Sequence, residues 1–171
     1  MSFEVAKRYL DGIGLGDRVI ATEAPSSTVE EAAEALGCAP EHIAKTMAFL
    51  VDDAPVLVLC AGDARVNNSM FKAFFHTKAK MVPGDAVEEL VGHAPGGVCP
   101  FGAKPAARVY LDESLRRFDV VYPACGDDHS GVRLTIPELS RRFCVSATAL
   151  KAAFRALYGQ PIHSWLREKR M

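Results

Sequence analysis

The chain has 171 residues, and none of its apolar runs approaches the ~20 consecutive positions that a membrane-spanning helix needs. Its N-terminal stretch, MSFEVAKRYL, lacks the apolar core of a signal peptide. A cytoplasmic location with no membrane partner is therefore expected. The five cysteines, Cys38, Cys60, Cys99, Cys125 and Cys144, are odd in number, scattered and free of CxxC spacing, which argues against a disulfide framework or a zinc site. The five histidines form no HExxH, so no metal and no cofactor are expected. What is abundant is apolar residue: at 49% hydrophobic content the chain can bury one substantial core and a small appendage.

The net charge is near zero, at −1, but unevenly spread. From Arg133 onward eight Lys and Arg stand against Glu138 and Glu168, a balance of +6 that leaves −7 on the rest. Such asymmetry fits a segment facing a nucleic acid and fits equally a solvated basic helix face.

Periodicity and punctuation predict a helix over residues 3–10, a second running from a Ser27–Glu30 capping box to Leu36 and closed by Gly37, a third ending at Phe75, and a fourth over 85–91. Asn67 or Asn68 caps the third. Strands are expected over 18–22, 45–51, 55–60, 79–82 (weakly), 108–111, 120–122 and 132–135. The runs at 45–51 and 55–60 flank Asp52 and Asp53 and scarcely alternate with polar residues, as in a hairpin buried on both faces. Strands mixed with short helices, without a regular βαβ repeat, predict an α/β fold with a mixed, partly closed sheet.

The segment at 92–102, GHAPGGVCPFG, holds four glycines and two prolines in eleven residues. Glycine permits φ > 0 and close approach to the main chain, and proline stiffens its neighbours, so Gly96, Gly97 and Val98 can present amides to an oxygen, held by Pro95 and Pro100. A tight connection between strands explains the same composition. Lys45 heads the apolar run AKTMAFLV, where a snorkelling lysine is the ordinary alternative to a functional cation.

A lysine opening a strand, a hairpin and a later GxxPGGVxPFG loop together resemble the YbaK/ProX-type aminoacyl-tRNA deacylases, the family that includes the editing domain of bacterial prolyl-tRNA synthetases. The resemblance covers about residues 3–137. It implies trans-acting hydrolysis of the ester of a mischarged aminoacyl-tRNA carrying a small amino acid such as Ala, Cys or Pro. The partners implied are the acceptor end of the tRNA and an aminoacyl-tRNA synthetase. It assigns Lys45, Gly96, Gly97 and Val98 to catalysis. His93, Pro95, Pro100, Phe101, Gly102, Met47, Phe49 and Lys72 are expected to contact substrate, although His93 also reads as a surface histidine and Met47, Phe49 and Phe101 as plain core. Asp63, Arg65 and Lys104 are rim candidates, and Cys99, without an assignable base, reads as a small apolar filler.

From Leu139 the sequence LSRRFCVSATALKAAFRALYGQPIHSWLREKRM resembles the first helix-turn-helix of AraC-type transcription regulators, preceded by a Thr135–Glu138 capping box. The second helix-turn-helix of that family is absent, so the resemblance implies weak DNA association at most. The expected division is a deacylase domain over 1–135 and a helical tail over 136–171. Two alternatives accompany it: a transcription regulator sensing a ligand through the larger domain, and a non-catalytic module that binds tRNA or a synthetase.

Overall fold

A computed structural model describes residues 2–142. The helices are α1 (Ser2–Gly12), α2 (Val29–Leu36), α3 (Asn68–Phe75), α4 (Val87–Val91) and α5 (Ile136–Arg142). The strands are β1 (Val19–Ala21), β2 (Ile43–Val51), β3 (Ala54–Ala61), β4 (Arg108–Leu111), β5 (Val120–Pro123), β6 (Ser130–Val132) and β7 (Leu134–Thr135).

The organising element is the β2–β3 hairpin, paired from Ala44–Ala61 to Val51–Ala54. Its turn residues Asp52 and Asp53 both take positive φ, 52° and 62°, as a two-residue turn matched to strand twist requires. Around it the sheet runs β4-β3-β2-β5-β7, with parallel β3–β4 and β2–β5 pairs and antiparallel β2–β3 and β5–β7 pairs. This is the mixed sheet with short helices expected of the chain. A second ribbon pairs β1 with β6.

β3 shows why the apolar runs did not alternate. Leu57 and Leu59 face one side of the sheet, Val56 and Val58 the other, and all four are buried. Leu59 joins Ala6 and Leu10 of α1 with Phe101, Leu115, Leu134 and Leu139; Leu57 joins Val87 and Val91 of α4. Across the sheet, Val56, Val58 and Phe49 pack on Phe71 of α3. With α5 contributing fully buried Ile136 and Leu139, the end of the described chain belongs to the main core.

Two local expectations are corrected. The capping box of α2 uses Thr28 and Glu31 rather than Ser27 and Glu30: Glu31 N–H donates to Thr28 Oγ1 at 3.2 Å, while its carboxylate accepts from the N–H groups of Thr28 and Ser27. Both frames satisfy the three-residue spacing, so spacing alone could not choose. The weak strand at 79–82 contracts to one bridge, Phe49 with Met81, because the following Pro83 has no N–H to extend the ladder. The Thr135–Glu138 box forms as read, with Glu138 N–H donating to Thr135 Oγ1 at 3.2 Å and Thr135 N–H to Glu138 Oε1 at 3.0 Å. The helix-turn-helix resemblance lies, beyond its first residues, outside the described residues.

Candidate functional site

β2 and β5 pair only at Ile43–Tyr122 and Ala44–Pro123. Where they part, a cavity of about 210 Å³ opens. Ile43, Ala44, Lys45 and Thr46 line it from β2, and Tyr122, Pro123 and Ala124 from β5 and its exit. Thr28 and Val29 come from the head of α2, and Gly96 and Val98 from the glycine loop. Lys45 of β2 and Gly96 and Val98 of the glycine loop thus line one cavity.

Lys45 is half-buried, and its ammonium donates to the carbonyl oxygens of Gly62 (3.3 Å) and Ala64, in the turn after β3. An ammonium has three N–H donors, so two carbonyls leave one for a third oxygen. A lysine that merely snorkels to water has no such fixed direction.

The loop is built as its composition suggested, with a different division of labour. Gly92 caps α4 at φ 98° and Gly96 sits at φ 89°. Gly97 was expected to open its backbone to a substrate. Instead its N–H donates to Ala94 O at 3.0 Å, and a Cβ there would come within 2.3 Å of the Gly126 carbonyl group, so it is needed for packing of the 126–127 backbone. Among the described residues no acceptor is found for the N–H of Gly96 or Val98.

The remaining candidates do not converge on the cavity. His93 is fully buried, its Nε2 2.7 Å from Phe101 O and 3.5 Å from Cys99 Sγ, which replaces the surface reading with an interior one. Phe101 is fully buried in the main core, and Gly102 packs on the backbone of Val5. Pro95 is exposed and Pro100 buried, both outside the cavity lining. Met47 and Phe49 point to the α3 side with Phe71, and Lys72 is exposed on α3.

Sequence reasoning missed the hydroxyl groups that line the cavity, Ser26, Ser27, Thr28, Thr46, Tyr122 and Ser130. Ser26 and Ser130 are committed to the fold: Ser26 Oγ donates to Asp128 O at 2.8 Å, and Ser130 Oγ to Asp127 Oδ1 at 2.5 Å. Thr46 differs, because its Oγ1 is buried and has no partner among the described residues. Its place directly after Lys45 was the available signal.

Among the described residues no thiol is poised as a nucleophile. Burial pushes Cys60 up to about 11 and Cys125 up to about 12, and raises Cys99 further still. No cluster of three or more His, Cys, Asp or Glu that would suit a metal occurs among the described residues. A second cavity of about 240 Å³ lies beside α3, walled by Phe71, Phe74, Phe75 and Tyr110 and reaching Ala64. No described helix is long and apolar enough to cross a membrane.

Comparison with known proteins adds to this geometry. Residues 23–141 match the aminoacyl-tRNA editing domain. The chain is 45% identical over 119 residues to the uncharacterised protein YwhH of Bacillus subtilis (strain 168), covering 69% of this chain and 76% of that protein. It is 34% identical over 109 residues to the proline–tRNA ligase of Shouchella clausii, covering 62% of this chain but only 18% of the ligase. A crystal structure of a proposed trans-editing enzyme for prolyl-tRNA synthetase superposes with a TM-score of 0.74 at 28% identity, over 92% of each chain. These relatives lend no support to the DNA-binding resemblance of the C-terminal segment, which starts where the matched span ends.

Proposed function

Because the chain belongs to the aminoacyl-tRNA editing domain family, we propose that it hydrolyses the ester linking a mischarged small amino acid to tRNA, acting in trans. The observation that carries this reading is Lys45, its ammonium held by two carbonyls, lining the same cavity as Gly96 and Val98 of the glycine loop.

At about 210 Å³ the cavity is smaller than the ~300–1,000 Å³ of pockets for drug-sized ligands, so it suits an aminoacyl group and not a whole nucleotide. Val29, Ala32, Leu36 and Ile43 would face the side chain, which favours a small apolar one such as that of Ala or Pro. The ester carbonyl would lie between the third Lys45 N–H and the amides of Gly96 and Val98, which stabilise the oxyanion as it forms. Water adds to the carbonyl carbon, the bond to the ribose oxygen breaks, and that oxygen leaves as the hydroxyl, taking up the proton released by the water. The free amino acid is the other product. The aminoacyl ester is already activated, so positioning and charge stabilisation suffice without a protein nucleophile. The partner is the acceptor end of tRNA, and the place of work is the cytoplasm, where tRNA is charged.

The test is a panel of purified mischarged tRNAs offered to the protein and to Lys45→Ala. Release of one small amino acid by the native chain, reduced about 100-fold or more in the variant at an unchanged melting temperature, is expected. Equal turnover by both would remove Lys45 from the chemistry.

A further inference from the structure

We propose that Asp63 and Arg117 form a positioning clamp for Lys45, holding the turn whose carbonyls aim its ammonium. This rests on the functional reading of Lys45 given above.

The turn is short and restrained on every side. It follows β3, and Ala64 N–H closes it on Ala61 O at 2.9 Å. Gly62 O and Ala64 O, the two acceptors of the Lys45 ammonium, flank Asp63 in sequence. On one side Gly62 lies so near the 3₁₀ turn Pro40–His42 and the start of α2 that a Cβ would meet Pro40 O at 2.1 Å and Val29 Cγ1 at 2.6 Å. On the other side stands the 3₁₀ turn Glu113–Arg117. From it Ser114 Oγ accepts the Ala61 N–H at 2.9 Å, and Arg117 grips the Asp63 carboxylate with both nitrogens, Nη1 to Oδ2 at 3.0 Å and Nη2 to Oδ1 at 2.5 Å.

The guanidinium is itself oriented. Its Nε donates to Ser114 O at 3.2 Å, and it lies over the Phe118 ring at 4.7 Å. A two-pronged, planar grip fixes direction as well as distance, which a lysine in its place would not do. The bonds to Arg117 also hold the Asp63 carboxyl below its usual range, with a smaller pull from Lys45.

Why an exposed ion pair should matter follows from magnitudes. Both partners are 48% exposed, and such pairs add little to folding stability. Catalysis is far more sensitive: a shift of about 1 Å in a reacting group can cost about 100-fold. If the turn relaxes, the Gly62 and Ala64 carbonyls move and the third N–H of Lys45 no longer points at the ester. The clamp therefore acts on turnover while leaving the fold nearly untouched.

The experiment uses the full chain and mischarged tRNA. Asp63→Asn and Arg117→Lys should each lower kcat about 10- to 100-fold with KM nearly unchanged and a melting temperature close to native. A charge-swapped double variant, Asp63→Arg with Arg117→Asp, should recover part of the loss. The second readout is the ¹H–¹⁵N signal of the Lys45 ammonium, visible when hydrogen bonding slows its exchange with water. It should be present in the native protein, assigned by its absence in Lys45→Ala, and lost in Asp63→Asn. An inactive Lys45→Ala beside a fully active Asp63→Asn with its ammonium signal intact overturns the clamp alone. A fully active Lys45→Ala overturns the functional reading and, with it, any catalytic value of the clamp.

Discussion

Thr46 carries a cost, a buried hydroxyl with no partner among the described residues. Leaving such a group unsatisfied costs about 1–3 kcal/mol, and an apolar replacement of the same shape can be neutral or stabilising. Thr46→Val should therefore hold or raise the melting temperature. If the hydroxyl is kept for the substrate, the same variant should raise KM about threefold to tenfold, the worth of one ordinary hydrogen bond. A variant that is both more stable and fully active would show that the hydroxyl meets no substrate. His93 poses the complementary case. Its Nε2 faces Phe101 O, which makes it the donor, and leaves Nδ1 buried without a partner among the described residues. Burial, the larger influence, holds the imidazole below its ordinary 6.5, against an opposing pull from the Phe101 carbonyl. The unfolded chain then binds a proton more readily than the folded one. Stability is full above about pH 6.5 and falls as pH drops from there toward the folded-state value. Urea midpoints measured from pH 7.5 to 5 should fall in the native protein and flatten in His93→Gln; parallel slopes would free His93 of responsibility.

At the scale of elements, the glycine loop is positioned by the backbone it lies against. Gly97 packs on the 126–127 main chain, whereas Gly96 has open space, with Asp128 Cβ 3.9 Å from where a Cβ would stand, but a φ of 89°. Gly96→Ala should cost about 1–2 kcal/mol for the left-handed conformation. Gly97→Ala should cost as much or more, because two backbones must separate, and should lose activity through displacement of Val98. Denaturant unfolding of the two variants orders them, and a Gly97→Ala protein of native stability would refute the packing account. The same loop shows what a sequence discloses. Four glycines and two prolines announced a constrained loop, and the Asp52–Asp53 turn announced the hairpin, since both depend on local φ preferences. The lysine-loop pair became legible through its family pattern. His93, Phe101, Met47 and Phe49 were not assignable by the same means, because which way a side chain points is settled by strand parity and by partners far away in sequence. The hydroxyl lining of the cavity was silent for that reason too: Thr28, Tyr122 and Ser130 meet only once β2 and β5 have paired and parted.

For the whole molecule the governing tension is charge. The proposed substrate is a polyanion, yet residues 1–132 carry −7, and only the stretch from Arg133 onward, at +6, offsets it. Arg18 engages Glu138 at 3.0 Å and Arg117 engages Asp63, so part of the body's cationic surface is committed to its own carboxylates. Attraction for tRNA must then come largely from the C-terminal stretch, whatever its fold. We propose on this ground that the body holds the ester and the stretch from Arg133 onward holds phosphate. Because α5 already contributes Ile136 and Leu139 to the main core, a chain ending at Arg142 retains every described element and removes Lys151, Arg155, Arg167, Lys169 and Arg170. That shortened chain should deacylate with native kcat but a raised KM. Its log(kcat/KM) should also fall less steeply with log[salt], since fewer counterions are released per tRNA bound. Kinetics over a salt series, full chain against shortened chain, make the comparison. Identical KM and identical salt slopes would mean that the body binds tRNA unaided and that the +6 faces something else.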